Sequence, residues 1–191
     1  NGKLICRAIP NQTARQDTAR MLTGAICSKD LYSFQYGKVE VRLKTNATKG
    51  NFPAVWLMPQ DIGNPYRYGE IDIFEAFGKD GLAHQTVHSH LSFMLNDNSG
   101  MRSFGTKTDL TQWHIYSVEW DSKLITFKID GKTIGSYEKS NDPNRLAKGQ
   151  WTFDRPFYII LNQSVGNDTW HTPDYHHTYE TQIDWVRVYQ R

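Results

Sequence analysis

The sequence predicts a single all-β domain, built as a sandwich or barrel of antiparallel strands. Short runs with alternating apolar and polar residues recur from end to end, with turn residues between them, and helical periodicity is nearly absent. Aromatic residues make up 13% of a chain that is only 38% hydrophobic, which is typical of a β-protein with a ring-lined binding surface. With 191 residues, the chain has the usual size of one domain, and we expect one domain over residues 1–191.

Ten segments carry the strand pattern, and this number in one domain favours a sandwich or a barrel. The predicted strands are Lys3–Ile9, Gly24–Ser28, Gly37–Lys44, Ala54–Met58, Glu70–Phe77, Gln85–Leu91, Ile115–Trp120, Leu124–Ile129, Phe157–Gln163 and Thr181–Tyr189. A hairpin is predicted where Asp130 and Gly131 follow one strand and precede Lys132–Gly135, because Asp-Gly supplies the positive φ angles of a tight turn.

Two further segments do not read as strands. Residues Asn141–Gly149 are polar, contain a proline and predict one short helical turn. Residues Asn167–Tyr179 form a long loop that holds Trp170 and several histidines. Because long loops of sandwiches often rim binding sites, we expect this loop beside the functional surface.

Charge and composition exclude several classes of partner. The formal net charge is +2, and lysines and arginines are scattered among acidic residues, so we expect no nucleic-acid partner. No apolar run approaches the roughly 20 residues that cross a bilayer, so we expect no membrane partner.

Cys6 and Cys27 suit neither a disulfide scaffold nor a zinc site, and we expect two half-buried thiols.

The most informative stretch is GEIDIFE, residues 69–75, in which three carboxylates lie on an otherwise apolar strand. In a regular strand, Glu70 and Asp72 would share a face with Phe74, and Glu75 would point into the core. An unpaired carboxylate in a core is energetically costly. A β-bulge between Asp72 and Glu75 resolves the conflict, because one extra residue turns both Ile73 and Phe74 inward. The sequence therefore predicts all three carboxylates on one surface.

Paired carboxylates on one surface are the chemistry of glycoside hydrolysis. Four strand steps separate Glu70 from Glu75 by roughly 13 Å between Cα atoms, and each side chain can lean towards the other. The remaining gap is compatible with the roughly 5 to 5.5 Å of retaining enzymes. We predict Glu70 as the nucleophile, Glu75 as the general acid/base and Asp72 as the group that hydrogen-bonds the nucleophile. The alternatives are an acidic solvent-facing strand and a metal site.

Nearly the whole chain also resembles one known family, the family 16 glycoside hydrolases, and in particular their endo-β-glucanases of laminarinase and mixed-linkage type. The segments that carry the resemblance are FQYGKVEVRLK, NFPAVWLMP, GEIDIFEAFG, TVHSH, WHIYSVEWD, ITFKIDGK, FYIILNQSVG and IDWVRVYQR. It implies a concanavalin-like jelly roll of two antiparallel sheets with a cleft on the concave face. It also implies that Glu70 is the nucleophile, that Asp72 assists and that Glu75 is the acid/base.

The resemblance implies further site residues, each with a structural alternative. The residues that match substrate-binding positions are Glu40, Arg42, Trp56, Tyr68, His88 and Asn162. Glu40 and Arg42 could instead form surface ion pairs across strands, and Trp56 could be a core residue. His88 and His90 share a face of one predicted strand, and His88 matches the polar cleft residue. Trp113, Trp120, Trp151 and Trp185 are expected in the core or at sheet edges.

The resemblance also implies a structural calcium, since Asp184 matches an aspartate that helps to bind that ion in several members. No cofactor is expected for catalysis. The chain departs from the pattern at Ala25, where many laminarinases have arginine, and at Phe52, where many have tryptophan. An N-terminal strand segment of the family fold is also expected to be missing before residue 1.

Three functions remain open. The first is an endo-β-glucanase acting on mixed-linkage β-1,3-1,4-glucan, β-1,3-glucan or both. The second is a glucan-binding lectin on the same fold, although a lectin would be expected to lack at least one of the three carboxylates. The third is a galactan hydrolase or a transglycosylase of the same family. A polymeric substrate favours a secreted, cell-surface or periplasmic location, and we expect a monomer.

Overall fold

The computed structural model describes residues 2–13, 17–46, 48–61, 63, 67–78 and 80–190. Within these ranges the chain forms twelve strands, two short α-helices and a 3-10 helix at Asn98–Gly100. The strands are β1 (Leu4–Pro10), β2 (Met21–Cys27), β3 (Gly37–Thr45), β4 (Asn51–Pro59), β5 (Gly69–Glu75), β6 (Leu82–Ser89), β7 (Met101–Lys107), β8 (His114–Trp120), β9 (Leu124–Ile129), β10 (Lys132–Glu138), β11 (Phe157–Val165) and β12 (Tyr179–Tyr189). The α-helices are α1 (His90–Phe93) and α2 (Pro143–Ala147).

The strands pair antiparallel in two layers, which confirms the predicted sandwich. Layer A has the order β10-β9-β8-β3-β12-β1, and layer B has the order β11-β4-β5-β6-β7. Strand β2 joins the layers, because its first residues pair with β1 and its last four residues pair with β11.

The core lies between the two layers and is made by the inward residues of each strand. Val41 and Leu43 of β3 are fully buried in the same cluster as Ile71 of β5. The rings of Phe74 and Tyr116 meet across the layers with centroids 4.5 Å apart. Each such side chain contributes about 1.5 to 3 kcal/mol on burial. The polar residues that alternate with these positions therefore point away from the core, onto the outer face of their own layer.

Strand β5 contains the predicted bulge. Its register against β6 sets two residues, Ile73 and Phe74, against the single residue Gln85. Both side chains are fully buried. The extra residue returns Glu75 to the face that carries Asp72, as the sequence predicted.

A buried glutamine holds this bulge. Gln85 is 0% exposed, and its Nε2 donates a 2.9 Å hydrogen bond to the backbone carbonyl of Ile73. A second, longer contact of 3.4 Å reaches the carbonyl of Lys128 in β9 of layer A. A bulge interrupts the ladder, and a buried carbonyl left without a donor costs about 1 to 3 kcal/mol. Gln85 supplies the donor for the Ile73 carbonyl.

Most predicted elements are confirmed, with shifted ends. The hairpin between β9 and β10 turns at Asp130 and Gly131, whose φ angles are 49° and 78°. Helix α2 lies within the segment predicted to carry a helical turn. Strand β7 was not predicted, because it lies at the edge of layer B and is mostly polar.

Two predictions need correction. Strand β6 ends at Ser89 rather than Leu91, because helix α1 begins at His90, which therefore leaves the face of His88. Both cysteines are free thiols, but neither is half-buried, because Cys6 is buried and Cys27 is exposed.

The tryptophans agree with the prediction of core or edge positions. Trp120 and Trp151 are buried in the core, whereas Trp113 and Trp185 are half-buried beneath cationic side chains. None of the described helices is long and apolar enough to cross a bilayer.

We expect Gln85→Ala to lower the free energy of unfolding by about 1 to 3 kcal/mol, because the Ile73 carbonyl would be left buried without its donor. Urea unfolding followed by tryptophan fluorescence measures the change. The matched control is Gln112→Ala on an exposed turn, which should change stability by less than about 0.5 kcal/mol. Equal effects of the two substitutions would contradict a bulge-holding role for Gln85.

Candidate active site

Glu70, Asp72 and Glu75 share the outer face of layer B. Glu70 lies opposite His88 of β6, and Asp72 lies opposite Trp56 of β4. Glu70 and Glu75 are half-buried, whereas Asp72 is only 2% exposed. The bulge thus brings together the three carboxylates that the sequence singled out.

Glu70 is held by neighbours on its own strand and on β6. The hydroxyl of Tyr68 donates a hydrogen bond to Glu70 Oε2. The carboxyl group of Asp72 lies beside that of Glu70 and can hydrogen-bond it when Asp72 is protonated. His88 Nε2 lies 3.6 Å from Asp72 Oδ2, and one oxygen or nitrogen of each of Glu70, Asp72 and His88 lies within 4.8 Å of the others. These three residues could together contact a cation or a substrate hydroxyl.

Burial and charge favour the protonated form of Asp72. Burial is the largest cause of its raised pKa, followed by the negative charges of Glu70 and Glu75 and by the hydrogen bond to Glu70. A protonated Asp72 can donate its hydrogen to Glu70. The aspartate is thus suited to hold the side chain of Glu70 in a fixed orientation.

The pKa of Glu75 is raised to about 7, first by burial and then by the charge of Glu70. Glu75 can therefore carry a proton near neutral pH and release it when the charge of Glu70 changes. Burial lowers the pKa of His88 against an opposing effect of Glu70, which favours a neutral imidazole. Burial and Glu70 both raise the pKa of Tyr68, so its hydroxyl remains a donor.

Two further predicted residues lie on the same face. Trp56 Nε1 donates a 2.7 Å hydrogen bond to Asn162 Oδ1, which links β4 to β11. Asn162 in turn lies opposite Ala25 of β2. This contact orients the indole beside Asp72, so Trp56 and Asn162 extend the surface away from the carboxylates.

An aromatic cluster extends the surface on the Glu75 side, and sequence reasoning did not find it. Phe77 packs against Phe52 and Trp170, with centroids 5.4 Å and 5.6 Å away, and against His84 of β6 at 4.6 Å. Trp170 is 40% exposed. The predicted loop of residues 167–179 therefore lies beside this face. Phe52 belongs to the same cluster and occupies a position where many laminarinases are expected to have tryptophan.

The structure does not place Glu40 and Arg42 with the other site residues. Both lie on the outer face of β3 in layer A, so the core separates them from Glu70. Glu40 pairs with Lys38, and Arg42 pairs with Asp184 of β12. The prediction of a cleft role is wrong for both residues, because alternation identifies the face of a strand and not its layer. The contacts of Glu40 and Arg42 agree with the alternative, in which both residues form surface ion pairs.

The surroundings of Asp184 do not fit the calcium site that the resemblance implied. Its carboxylate is paired with the guanidinium of Arg42, which also lies 4.8 Å from the ring of Trp113. A bound cation would have to share this carboxylate with a fixed positive charge. Asp184 also belongs to no cluster of three metal-ligating side chains within the described residues. Calcium stays a prediction, and no step of the chemistry depends on it.

A jelly-roll face with two glutamates, of which Glu75 has a raised pKa, defines a glycosidase-type site. Comparison with protein families agrees, since the model of glycosyl hydrolases family 16 matches residues 9–187. The chain belongs to glycoside hydrolase family 16. The predicted fold and family are therefore confirmed.

Similar proteins carry names of glycan-cleaving enzymes. "Glucan endo-1,3-beta-glucosidase A1" of Niallia circulans is 33% identical over all of this chain and 30% of its own length. "Keratan-sulfate endo-1,4-beta-galactosidase" of Sphingobacterium multivorum is 29% identical over all of this chain and 45% of its own length. The chain thus spans less than half of these two relatives.

A solved structure in the same family has a very similar fold. A mutant of SCLam, a non-specific endo-beta-1,3(4)-glucanase, superposes with a TM-score of 0.86 at 28% identity, over all of this chain and 76% of that one. That mutant presents a 1,3-beta-D-cellobiosyl-glucose at its active site.

We expect Glu75→Gln to stabilise the protein at pH 8 by about 1 to 3 kcal/mol and to change little at pH 4. Folding raises the pKa of Glu75 from 4.5 to about 7, so the folded chain binds more protons than the unfolded chain between these values. The stability from this group is present below pH 4.5 and is lost as the pH rises through 7.

Guanidinium unfolding at both pH values measures this difference. Glu138→Gln on the exposed end of β10 is the matched control, and we expect it to change stability little at either pH. If Glu75→Gln is no more stable than the wild type at pH 8, folding does not raise the pKa of Glu75.

Proposed function

We propose that this chain is a retaining endo-β-glucanase that hydrolyses mixed-linkage β-1,3-1,4-glucan, β-1,3-glucan or both by double displacement. The observation that carries the proposal is the bulge in β5, which sets Glu70 and Glu75 on one face, where the pKa of Glu75 is raised to about 7. Family membership and the glucanase names of similar proteins support the choice of substrate.

The first step uses the two glutamates in opposite roles. The Glu70 carboxylate attacks the anomeric carbon while protonated Glu75 gives its hydrogen to the leaving glycosidic oxygen. A covalent glycosyl ester forms on Glu70, and the remaining sugar chain leaves with a new hydroxyl. Asp72 and Tyr68 keep the nucleophile oriented through their hydrogen bonds.

The second step follows from the electrostatics of the first. Because the charge of Glu70 raises the pKa of Glu75, esterification of Glu70 removes that effect and favours the ionised form of Glu75. Glu75 then takes a proton from water, the water oxygen attacks the anomeric carbon and Glu70 leaves as a carboxylate. Two displacements return the sugar to its original anomeric configuration.

One specific observation favours a second candidate substrate. The Sphingobacterium relative named for keratan sulfate covers this chain as fully as the glucanase relative does. A galactan hydrolase would use the same carboxylates and differ in the residues that contact sugar hydroxyls. A lectin is less well supported, because all three carboxylates are present and share one face. For the leading proposal we also infer export from the cell, since the substrate is a large polymer, and we propose a monomer as before.

The substrate proposal is tested by incubating the wild type with mixed-linkage glucan, laminarin, agarose and keratan sulfate. We expect oligosaccharides from one or both glucans and none from the galactans. Glu70→Gln should lower the rate by at least about 10³-fold, because the nucleophile is lost. Glu138→Gln should retain full activity. Products from a galactan alone would replace the proposed substrate class, and glucan binding without cleavage would favour the lectin.

Retention is tested on the same reaction by proton NMR. Early products should carry the β-anomer, which then equilibrates with the α-anomer. Initial release of the α-anomer would contradict the double displacement.

The pH dependence tests the role of Glu75. We expect kcat/KM to fall as the pH rises above about 7, because the general acid must be protonated and its pKa is raised to about 7. A dinitrophenyl β-glycoside has a leaving group that needs no proton, so with this substrate kcat/KM should not fall above pH 7. An equal fall with both substrates would assign the ionisation to another group.

A further inference from the structure

Phe93 contacts the residues that hold Glu70, although the sequence gives no sign of it. Its ring stacks on Tyr68, with centroids 4.2 Å apart and planes inclined by 14°, and meets the ring of His88 edge-on at 6.1 Å. Phe93 is nevertheless 52% exposed. A large apolar side chain so exposed contributes less to the core than a buried one, so its place in the fold needs another explanation.

Helix α1 is anchored so that Phe93 has a fixed position. Ser89 and Ser92 form a reciprocal capping box at the start of the helix. Ser89 Oγ also donates to the carbonyl of Gly100 at 2.9 Å, and the backbone N–H of Leu91 donates to the carbonyl of Gly149 at 3.1 Å. These bonds tie α1 to two separate loops.

Tyr68 is constrained from three directions. Its carbonyl accepts a 2.7 Å hydrogen bond from Thr152 Oγ1, its ring lies against Phe93, and its hydroxyl donates to Glu70 Oε2. Because Phe93 covers one face of the phenol ring, that face cannot stack on a sugar. The stacked ring and the hydrogen bond to Glu70 therefore favour a role of Tyr68 at Glu70 over the expected role in binding substrate.

We propose that Phe93 is a positioning residue, which holds the phenol of Tyr68 so that its hydroxyl donates to the nucleophile Glu70 throughout the reaction. The inference rests on the proposed function of Glu70. Its effect is largest when the glycosyl ester breaks, because the bond between the anomeric carbon and the Glu70 oxygen gives both electrons to the departing carboxylate. The Tyr68 hydroxyl stabilises that negative charge, while the proton of the attacking water goes to Glu75.

The kinetic test uses a dinitrophenyl β-glycoside of a glucan oligosaccharide, with which breakdown of the ester limits the rate. We expect Tyr68→Phe to lower kcat about 10- to 100-fold and Phe93→Ala about 3- to 10-fold. KM should not rise, and intact-mass spectrometry of quenched reactions should show more glycosyl-enzyme than in the wild type. Phe93→Tyr, which keeps a stacking ring, should restore kcat.

The matched control is Leu95→Ala, since Leu95 is an exposed apolar residue, 50% exposed, and lies just beyond the end of α1 at Phe93. It should leave kcat unchanged. If Phe93→Ala raises KM alone, Phe93 contacts sugar directly and the proposal is overturned. Unchanged kinetics in Phe93→Ala would overturn it equally.

A measurement without substrate separates this proposal from the proposed function. A hydroxyl proton shared with a carboxylate gives a downfield proton NMR signal, which should be lost in Tyr68→Phe and in Glu70→Gln. In Phe93→Ala the signal should broaden or shift, while the melting temperature shows that the variant is folded. A signal that Phe93→Ala leaves unchanged contradicts the positioning role, even if the wild type cleaves no glucan.

Discussion

The extra residue in β5 sets the geometry on which the rest of the site depends. Without it, strand alternation would direct Glu75 into a core formed by residues such as Ile71 and Phe74. With it, two apolar side chains enter the core and the glutamate returns to the surface of Glu70. The irregularity is stabilised locally, because Gln85 replaces the hydrogen bond that the ladder cannot supply.

Bringing three carboxylates onto one face produces repulsion, and the distribution of protons relieves it. Asp72, almost fully buried, favours its neutral form, and Glu75 takes up a proton near neutral pH. Glu70 accepts a hydrogen bond from the hydroxyl of Tyr68. In the proposed mechanism, the same repulsion that opposes folding keeps a proton on Glu75, the proposed acid.

The sequence predicted the parts of the site that lie on one strand better than those that depend on contacts between distant segments. The bulge followed from residues 69–75, because a regular strand would have buried a carboxylate. Glu40 and Arg42 were misplaced, since a strand pattern does not say which layer a strand joins. Phe93 was missed because its contact with Tyr68 arises only when α1 folds back beside β5. Strand β7 was missed because an edge strand can be polar.

Strand β2 gives the sandwich a mechanical property that neither layer would have alone. It pairs with β1 over Met21–Thr23 and with β11 over Gly24–Cys27, so one continuous backbone carries hydrogen bonds of both layers. A slip of β2 by one residue would disturb Asn162 on one side of the molecule and the pairing of Ala8 on the other. The two layers therefore cannot slide past each other along β2. A force that pulls on one layer is carried by the backbone of β2 into the other layer.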